Sequence, residues 1–189
     1  NADVYRTSFD NQVVVDIENQ GELSFYNLNG KSSANTFQID LGYELFDRFD
    51  IKMAYKINDV QSTYGREVKV APLTPLSRGL LNMSYATNFD KWMFDVTANY
   101  VGESRVPSHD TDNAFVLEQF SNPFYLYNAQ ITKKFNVFDI YLGGENLLGY
   151  TQENPIISAS NPSSDKFDAS LIYAPVNGRM IYLGFRYKL

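Results

Sequence analysis

Cysteine is absent from the 189 residues, so no disulfide organises the chain, and its absence fits an exported protein as well as a cytosolic one. Long apolar runs are missing too. No window approaches 18 consecutive apolar residues, which excludes a membrane-spanning helix on length alone. Positive charge is in deficit, with 16 basic against 22 acidic residues and a net charge of −6, and a general nucleic-acid binder needs the opposite balance to displace counterions from phosphate. Histidine occurs once, at position 109, and tryptophan once, at position 92. A hydrolase usually draws its general base from histidine, so the single His109 beside Ser108 is the sole candidate. Neighbouring side chains on an extended segment point apart, and one loop histidine makes a poor triad. No catalytic residue, resident metal or cofactor is expected. The chain begins at Asn1 without methionine and shows no signal peptide, which reads as a mature, cleaved or truncated product.

Aromatic residues are abundant, with 14 Phe and 14 Tyr, and apolar residues recur with period two. The terminal stretch is the plainest case: Ile181, Leu183, Phe185, Tyr187 and Leu189 alternate with Tyr182, Gly184, Arg186 and Lys188 up to the chain end. A soluble edge strand this greasy invites aggregation, whereas a barrel strand turns such a face to lipid. The mildly negative mean hydropathy is compatible with this, because every second residue of a barrel strand faces water.

The same alternation predicts eight strands of about ten residues, the length of a tilted bilayer crossing. They fall at 9–18 (Val13, Val15, Ile17), 36–46 (Phe37 to Leu45), 49–58 (Phe49 to Ile57) and 79–88 (Leu81, Met83, Tyr85). The rest fall at 91–101 (Trp92 to Tyr100), 125–135, 137–147 and the terminus. Tight turns at Asp47-Arg48, Phe89-Asp90 and Asn136 alternate with long polar connections at 19–35, 59–78, 102–124 and 148–178. In outer-membrane barrels short turns face the periplasm and long loops the exterior, which assigns the sides. Trp92 and Tyr187 then mark the periplasmic interface, and Tyr100 and Tyr125 the extracellular one. The expected fold is an all-β, antiparallel transmembrane β-barrel in a bacterial outer membrane. A soluble antiparallel sandwich is the competing architecture, since its strands also alternate.

Five stretches in order resemble the C-terminal barrel region of TonB-dependent outer-membrane receptors, of the type found in Bacteroidetes. They are Leu73-Thr-Pro-Leu-Ser-Arg-Gly-Leu-Leu-Asn-Met-Ser-Tyr-Ala-Thr87, Lys91-Trp-Met-Phe-Asp95, Asn128-Ala-Gln-Ile-Thr132, Gly144-Glu-Asn-Leu-Leu-Gly-Tyr-Thr-Gln-Glu-Asn-Pro-Ile-Ile157 and Phe167-Asp-Ala-Ser-Leu-Ile-Tyr-Ala-Pro-Val-Asn-Gly-Arg179. The resemblance implies that residues 1–189 are about eight C-terminal strands of a 22-stranded barrel, with no plug domain in this chain. It implies energised import of a scarce, bulky solute (siderophore, haem, cobalamin or glycan) by loop capture and plug rearrangement. The implied partners are outer-membrane lipid, the plug and remaining strands, the TonB energy-coupling system acting through the missing N-terminal part, and the barrel-assembly machinery. Tyr182, Gly184, Tyr187 and Leu189 resemble the signal which that machinery reads. In Phe167, Pro175, Gly178 and Arg179 the likeness reads as structural: Gly178 permits a turn and Arg179 opens the last strand. An alternative is a self-contained eight-stranded barrel acting as adhesin or envelope anchor.

Loops on rigid scaffolds often carry function, so Tyr26, Tyr64, Arg66, Lys69, Arg105, His109, Asp110, Asp112 and Tyr150 are the candidate ligand contacts. His109, Asp110 and Asp112 lie in one polar run, which reads either as metal ligands or, more simply, as a solvated loop tip. Oxygen ligands two apart suit calcium, but the glycine and distal glutamate of an EF-hand loop are missing. The inward set is Asp40, Glu44, Asp50, Lys52, Lys56, Asp95, Asp139, Glu145, Arg186 and Lys188. These charges read as a hydrated wall with ion pairs across neighbouring strands, or as a surface for a plug or solute path.

Overall fold

The computed structural model describes residues 1–28, 30–64, 67–111 and 117–188. Its strands are β1 (Ala2–Asp10), β2 (Val13–Asp16), β3 (Ser24–Asn27), β4 (Lys31–Phe46), β5 (Phe49–Tyr64), β6 (Glu67–Val70), β7 (Ser77–Ala86), β8 (Trp92–Val101), β9 (Phe124–Lys134), β10 (Phe138–Glu145) and β11 (Met180–Tyr187). Eight of them form one antiparallel wall in the order β1-β4-β5-β7-β8-β9-β10-β11. β6 extends the wall beside the far end of β5, and β2 pairs with β3 as a separate hairpin. Among the described residues β1 pairs only with β4 and β11 only with β10.

Seven of the eight expected crossings coincide with wall strands; the first does not. The expected strand at 9–18 breaks at Asn11, whose φ of 56° is left-handed. The wall strand is β1 instead, in register with β4 from Ala2↔Ile39 to Asp10↔Lys31. The alternation of Val13 and Val15 is genuine, but it builds the β2–β3 hairpin, where Val15 faces Phe25. Alternation reports any half-covered sheet surface, not lipid specifically. β4 and β5 also run to 16 residues each, beyond what the pattern predicts. Their extra length carries no apolar period because both faces there meet polar surroundings. Ser32 and Ser62 share a hydroxyl hydrogen bond at 3.0 Å in that stretch.

The register puts the expected apolar faces together across the wall. Leu41 pairs with Met53, Met53 with Leu81 and Leu81 with Ala98; Phe94 pairs with Ile131, Ile131 with Leu142 and Leu142 with Leu183. This face is uncovered: Leu41 is 60 % and Leu183 74 % exposed. So large a contiguous apolar surface marks an interaction with protein or membrane. The opposite face carries the polar set, with Ser84 beside Asp95 and Asp139 beside Arg186. Of that set, Lys188 Nζ reaches Asp139 Oδ1 at 2.7 Å.

Aromatic rings band both ends of the outward face. At the tight-turn end Phe46 stacks on Phe49 at 4.7 Å, and contacts continue through Tyr85 and Phe94 to Trp92. Phe135, Phe138 and Phe185 extend the band to β11. At the other end Tyr100 packs on Tyr125 at 5.1 Å, and Tyr125 continues to Tyr127. Trp92 and Tyr100 lie eight residues apart on β8, roughly 26 Å along the strand, which at a barrel strand's tilt rises about 20 Å, most of the height of an apolar band.

The last hairpin is interlocked. Gly143 lies opposite Tyr182, and Gly184 opposite Tyr141. A Cβ on either glycine would overlap the facing ring, so each tyrosine lies across a position only glycine can fill. Tyr182 also donates to Gln130 Oε1 at 3.1 Å. Gly178 is not the glycine that a turn demands. No side chain crowds it and its φ is not positive, while Gly149, at φ 69°, takes the left-handed position in this connection. Arg179 precedes β11 and donates from Nε to Leu147 O at 2.6 Å, tying the two ends of the last long connection together.

Candidate functional site

Beyond the wall, the four long connections fold onto one another. Val106, Ile157 and Leu171 form a buried apolar cluster, packed by Ile17, Leu117 and Tyr173. These six residues come from the segments between β1 and β4, between β8 and β9 and between β10 and β11, so none of those segments could bury its apolar residues alone.

Two polar clasps join the same segments. In the first, Arg105 pairs with Glu18 through two nitrogens and donates from Nε to Val70 O at 2.6 Å. Lys69 Nζ lies 3.5 Å from the same glutamate, and the Arg105 guanidinium sits 5.9 Å from the Tyr64 ring centre. Burial pushes the Tyr64 phenol up, and the Arg105 charge opposes that shift. In the second clasp His109, only 7 % exposed, holds Asp168 Oδ2 at 2.6 Å through Nδ1 and Ile17 O at 3.0 Å through Nε2. Both partners are oxygens, so each ring nitrogen is engaged by a contact within the connections. Burial favours the neutral Asp168 carboxyl. The Ser170 amide and hydroxyl and the His109 ring outweigh it and hold the group below its ordinary value.

Glutamine side chains complete the packing. Gln20 donates to Asp110 O and Lys166 O and accepts from Asp110 N at 2.9 Å. Gln152 donates to Leu171 O at 2.9 Å and accepts from the Tyr173 and Ala174 amides. Polar groups matched in this way, with Gln152 itself buried, fix one arrangement of the loops.

The candidate contacts therefore scatter. Tyr64 and Arg105 meet in the first clasp, and His109 and Asp110 adjoin the second. Tyr26 stands apart and donates to Asp16 Oδ2 at 2.6 Å. That bond to a carboxylate, aided by burial, pushes the Tyr26 phenol up to about 12. Tyr150 stacks on Phe124, and its phenol is raised by burial and by Glu153. Arg66, Asp112 and Leu189 lie outside the described residues. His109 is not the solvated tip its polar neighbours suggest, because Asp168 and Ile17 enclose it. With both nitrogens engaged it has none to offer Ser108 as a base. Asp110 holds Lys166 at 2.9 Å, and among the described residues no three His, Asp or Glu side chains converge on a metal position. Glu18, Gln20 and Asp168, which organise the clasps, carry no local pattern that marks them. Asp168 falls inside the family-like stretch 167–179, but as an unremarkable member of it.

Between the connections lies a cavity of about 610 Å³, lined by Glu18, Glu67, Lys69, Arg105, Gln119 and Phe120 among others. A smaller one of about 190 Å³ lies against Val106, Glu118, Glu153 and Tyr173. The larger falls within the usual volume of small-ligand sites, roughly 300–1,000 Å³. Its charges of both signs and its aromatic edge suit a polar ligand better than an apolar one.

No protein-family model matches the sequence, and no curated protein matches it. Solved structures do match. The chain is similar to the ferric-catecholate import receptor Fiu of E. coli K12, with TM-score 0.61 and 21 % identity over 97 % of this chain and 24 % of that one. It is similar to the ferric enterobactin receptor PfeA of Pseudomonas aeruginosa, with TM-score 0.65 and 12 % identity over 97 % and 28 %. It is also similar to the FrpB iron transporter of Neisseria meningitidis, with TM-score 0.62 and 11 % identity over 98 % and 27 %. The chain thus spans about a quarter of the length of the structures it matches. Its fold is that of a segment of the barrel wall of TonB-dependent receptors.

Proposed function

We propose that residues 1–189 form the C-terminal part of the β-barrel of a TonB-dependent outer-membrane receptor that imports a ferric chelate. The observation that carries this reading is the likeness of nearly the whole chain, wall and loops together, to receptors and transporters whose names all specify iron. The apolar face with its two aromatic bands meets outer-membrane lipid, and the long connections face the exterior. The polar face needs water or protein against it, because a charge turned to lipid near the midplane costs about 2–4 kcal/mol for Lys or Arg. A plug domain supplies that surface, and the open edges of β1 and β11 continue into the remaining strands. TonB couples through the plug, and the assembly machinery reads the terminal strand at Tyr182, Gly184, Tyr187 and Leu189. The cavity beside Arg105 and Phe120 is the first place to look for a chelate contact.

Deletion of the gene that encodes this chain, followed by uptake of radiolabelled iron from a panel of ferric chelates, tests the reading. One chelate should lose most of its uptake in the deletion strain, and a protonophore should abolish that same component in the parent. Uptake unchanged for every chelate, or insensitive to the protonophore, would defeat the proposal.

A further inference from the structure

The outward face carries one lysine where lipid should lie. Lys133 faces Trp92 on β8 and Ile140 on β10 within the apolar register. Among the described residues no carboxylate pairs with it; its Nζ sits 4.3 Å above the Trp92 ring and 5.8 Å from that of Phe135. Lys91, in the neighbouring turn, likewise has no carboxylate and lies 5.9 Å from the Phe89 ring centre. Both line a notch of about 750 Å³ at the tight-turn end, together with Lys134 and Lys188. Those two are already neutralised, Lys134 by Asp90 at 3.8 Å and Lys188 by Asp139 at 2.7 Å. The notch thus offers two uncompensated ammonium groups on an aromatic bed, at the level where a leaflet keeps its headgroups.

A second feature lies directly above. The rows of the outward face run Trp92–Lys133–Ile140, then Phe94–Ile131–Leu142, then Val96–Ala129–Gly144. Small residues in the third row leave an almost wholly apolar depression of about 330 Å³, bounded by Phe94, Ile131, Leu142 and Ile181. Four residues of strand separate Lys133 from Ala129, about 13 Å along the strand and about 10 Å of depth at a barrel strand's tilt. One leaflet of a bilayer whose hydrocarbon core is about 30 Å thick spans about 15 Å. The depression therefore sits where the acyl chain of a lipid held at Lys133 would lie.

We propose that this face holds one anionic phospholipid of the periplasmic leaflet, its phosphate between Lys91 and Lys133 and an acyl chain over Ala129 and Gly144. The site rests on the barrel reading above, which puts this face in the membrane. Lys133 is tolerated there because the cost of a lipid-facing cation falls to about 0–1 kcal/mol near the interface.

Native mass spectrometry of the full-length protein, released from detergent micelles doped with phosphatidylglycerol or phosphatidylcholine of identical chains, tests it. Phosphatidylglycerol should be retained in preference by about tenfold, as two lysines beside an anionic headgroup allow. The double variant Lys91→Gln, Lys133→Gln should lose that preference. Ala129→Leu, which fills the depression, should weaken retention of both lipids, and Lys31→Gln at the far end should change nothing. Equal retention by the unsubstituted protein, or a preference that survives the double substitution, overturns the site alone. Displacement of the lipid by millimolar inorganic phosphate reassigns the notch to free phosphate and also overturns it. Recovery of the protein in the soluble fraction without detergent would overturn the barrel reading itself.

Discussion

The wall and the packed connections treat the same kinds of residue in opposite ways. In the wall Leu183 is 74 % exposed, and the apolar side chains line up by register without covering one another. In the connections Ile157 is 2 % exposed, inside a cluster closed by residues from three segments. The wall is held by backbone ladders, and on the proposed barrel reading its outward face is completed by lipid. The connections must make their own interior, as a water-soluble domain does. Charge follows the same division. Among the described residues the outward face leaves Lys133 without a carboxylate, set among rings, while the connections bury Arg105 and His109 only with partners.

Substitutions can break this division. The largest effect is expected from Ile157→Ala, which removes a fully buried side chain and should destabilise the packed connections by about 4 kcal/mol. Hydrogen exchange should show that loss in the connections while the β7–β10 amides keep their protection. Equal deprotection of both regions would mean they unfold as one body. Next comes Val96→Arg on the outward face, expected to cost about 3 kcal/mol by reversible unfolding from lipid vesicles, with no change in exchange at the connections. Glu18→Gln should cost about 2 kcal/mol by weakening the charge-assisted hydrogen bonds to the buried Arg105, read as faster proteolysis of the connections. The smallest effect is acid sensitivity. Asp168 is held below its ordinary value of 3.8, so its contribution is fully present above that value and fades as pH falls below it. Exchange in the connections should accelerate on that acid limb, and Asp168→Asn should remove the acceleration while the wall stays unresponsive throughout.

The wall was the legible half. Phe37 to Leu45 and Phe49 to Ile57 alternate because the two sides of each strand differ in polarity, and that contrast is written in neighbouring residues. Where both sides are polar, as at Ser32 and Ser62, the strand continues without a pattern to reveal it. Val13 and Val15 misled for the complementary reason: their pattern is correct for a strand, but only partners show which sheet it joins. The clasps were illegible because their halves are remote. His109 and Asp168 are 59 positions apart, and Arg105 and Glu18 87. A polar run around His109 describes its sequence neighbours, whereas burial is decided by Ile17 and Asp168.

The tyrosines seated on glycine in the last hairpin bear on how a sheet without a core finds its alignment. Sliding β11 by two residues one way would drive Tyr141 against Tyr182, and the other way would set Tyr141 against Arg186 and leave Gly143 facing Gly184 across a gap. Only one setting seats both rings. The closing pair of strands therefore proofreads its own alignment from side-chain shape, before any lipid or neighbouring strand is there to reward the correct choice.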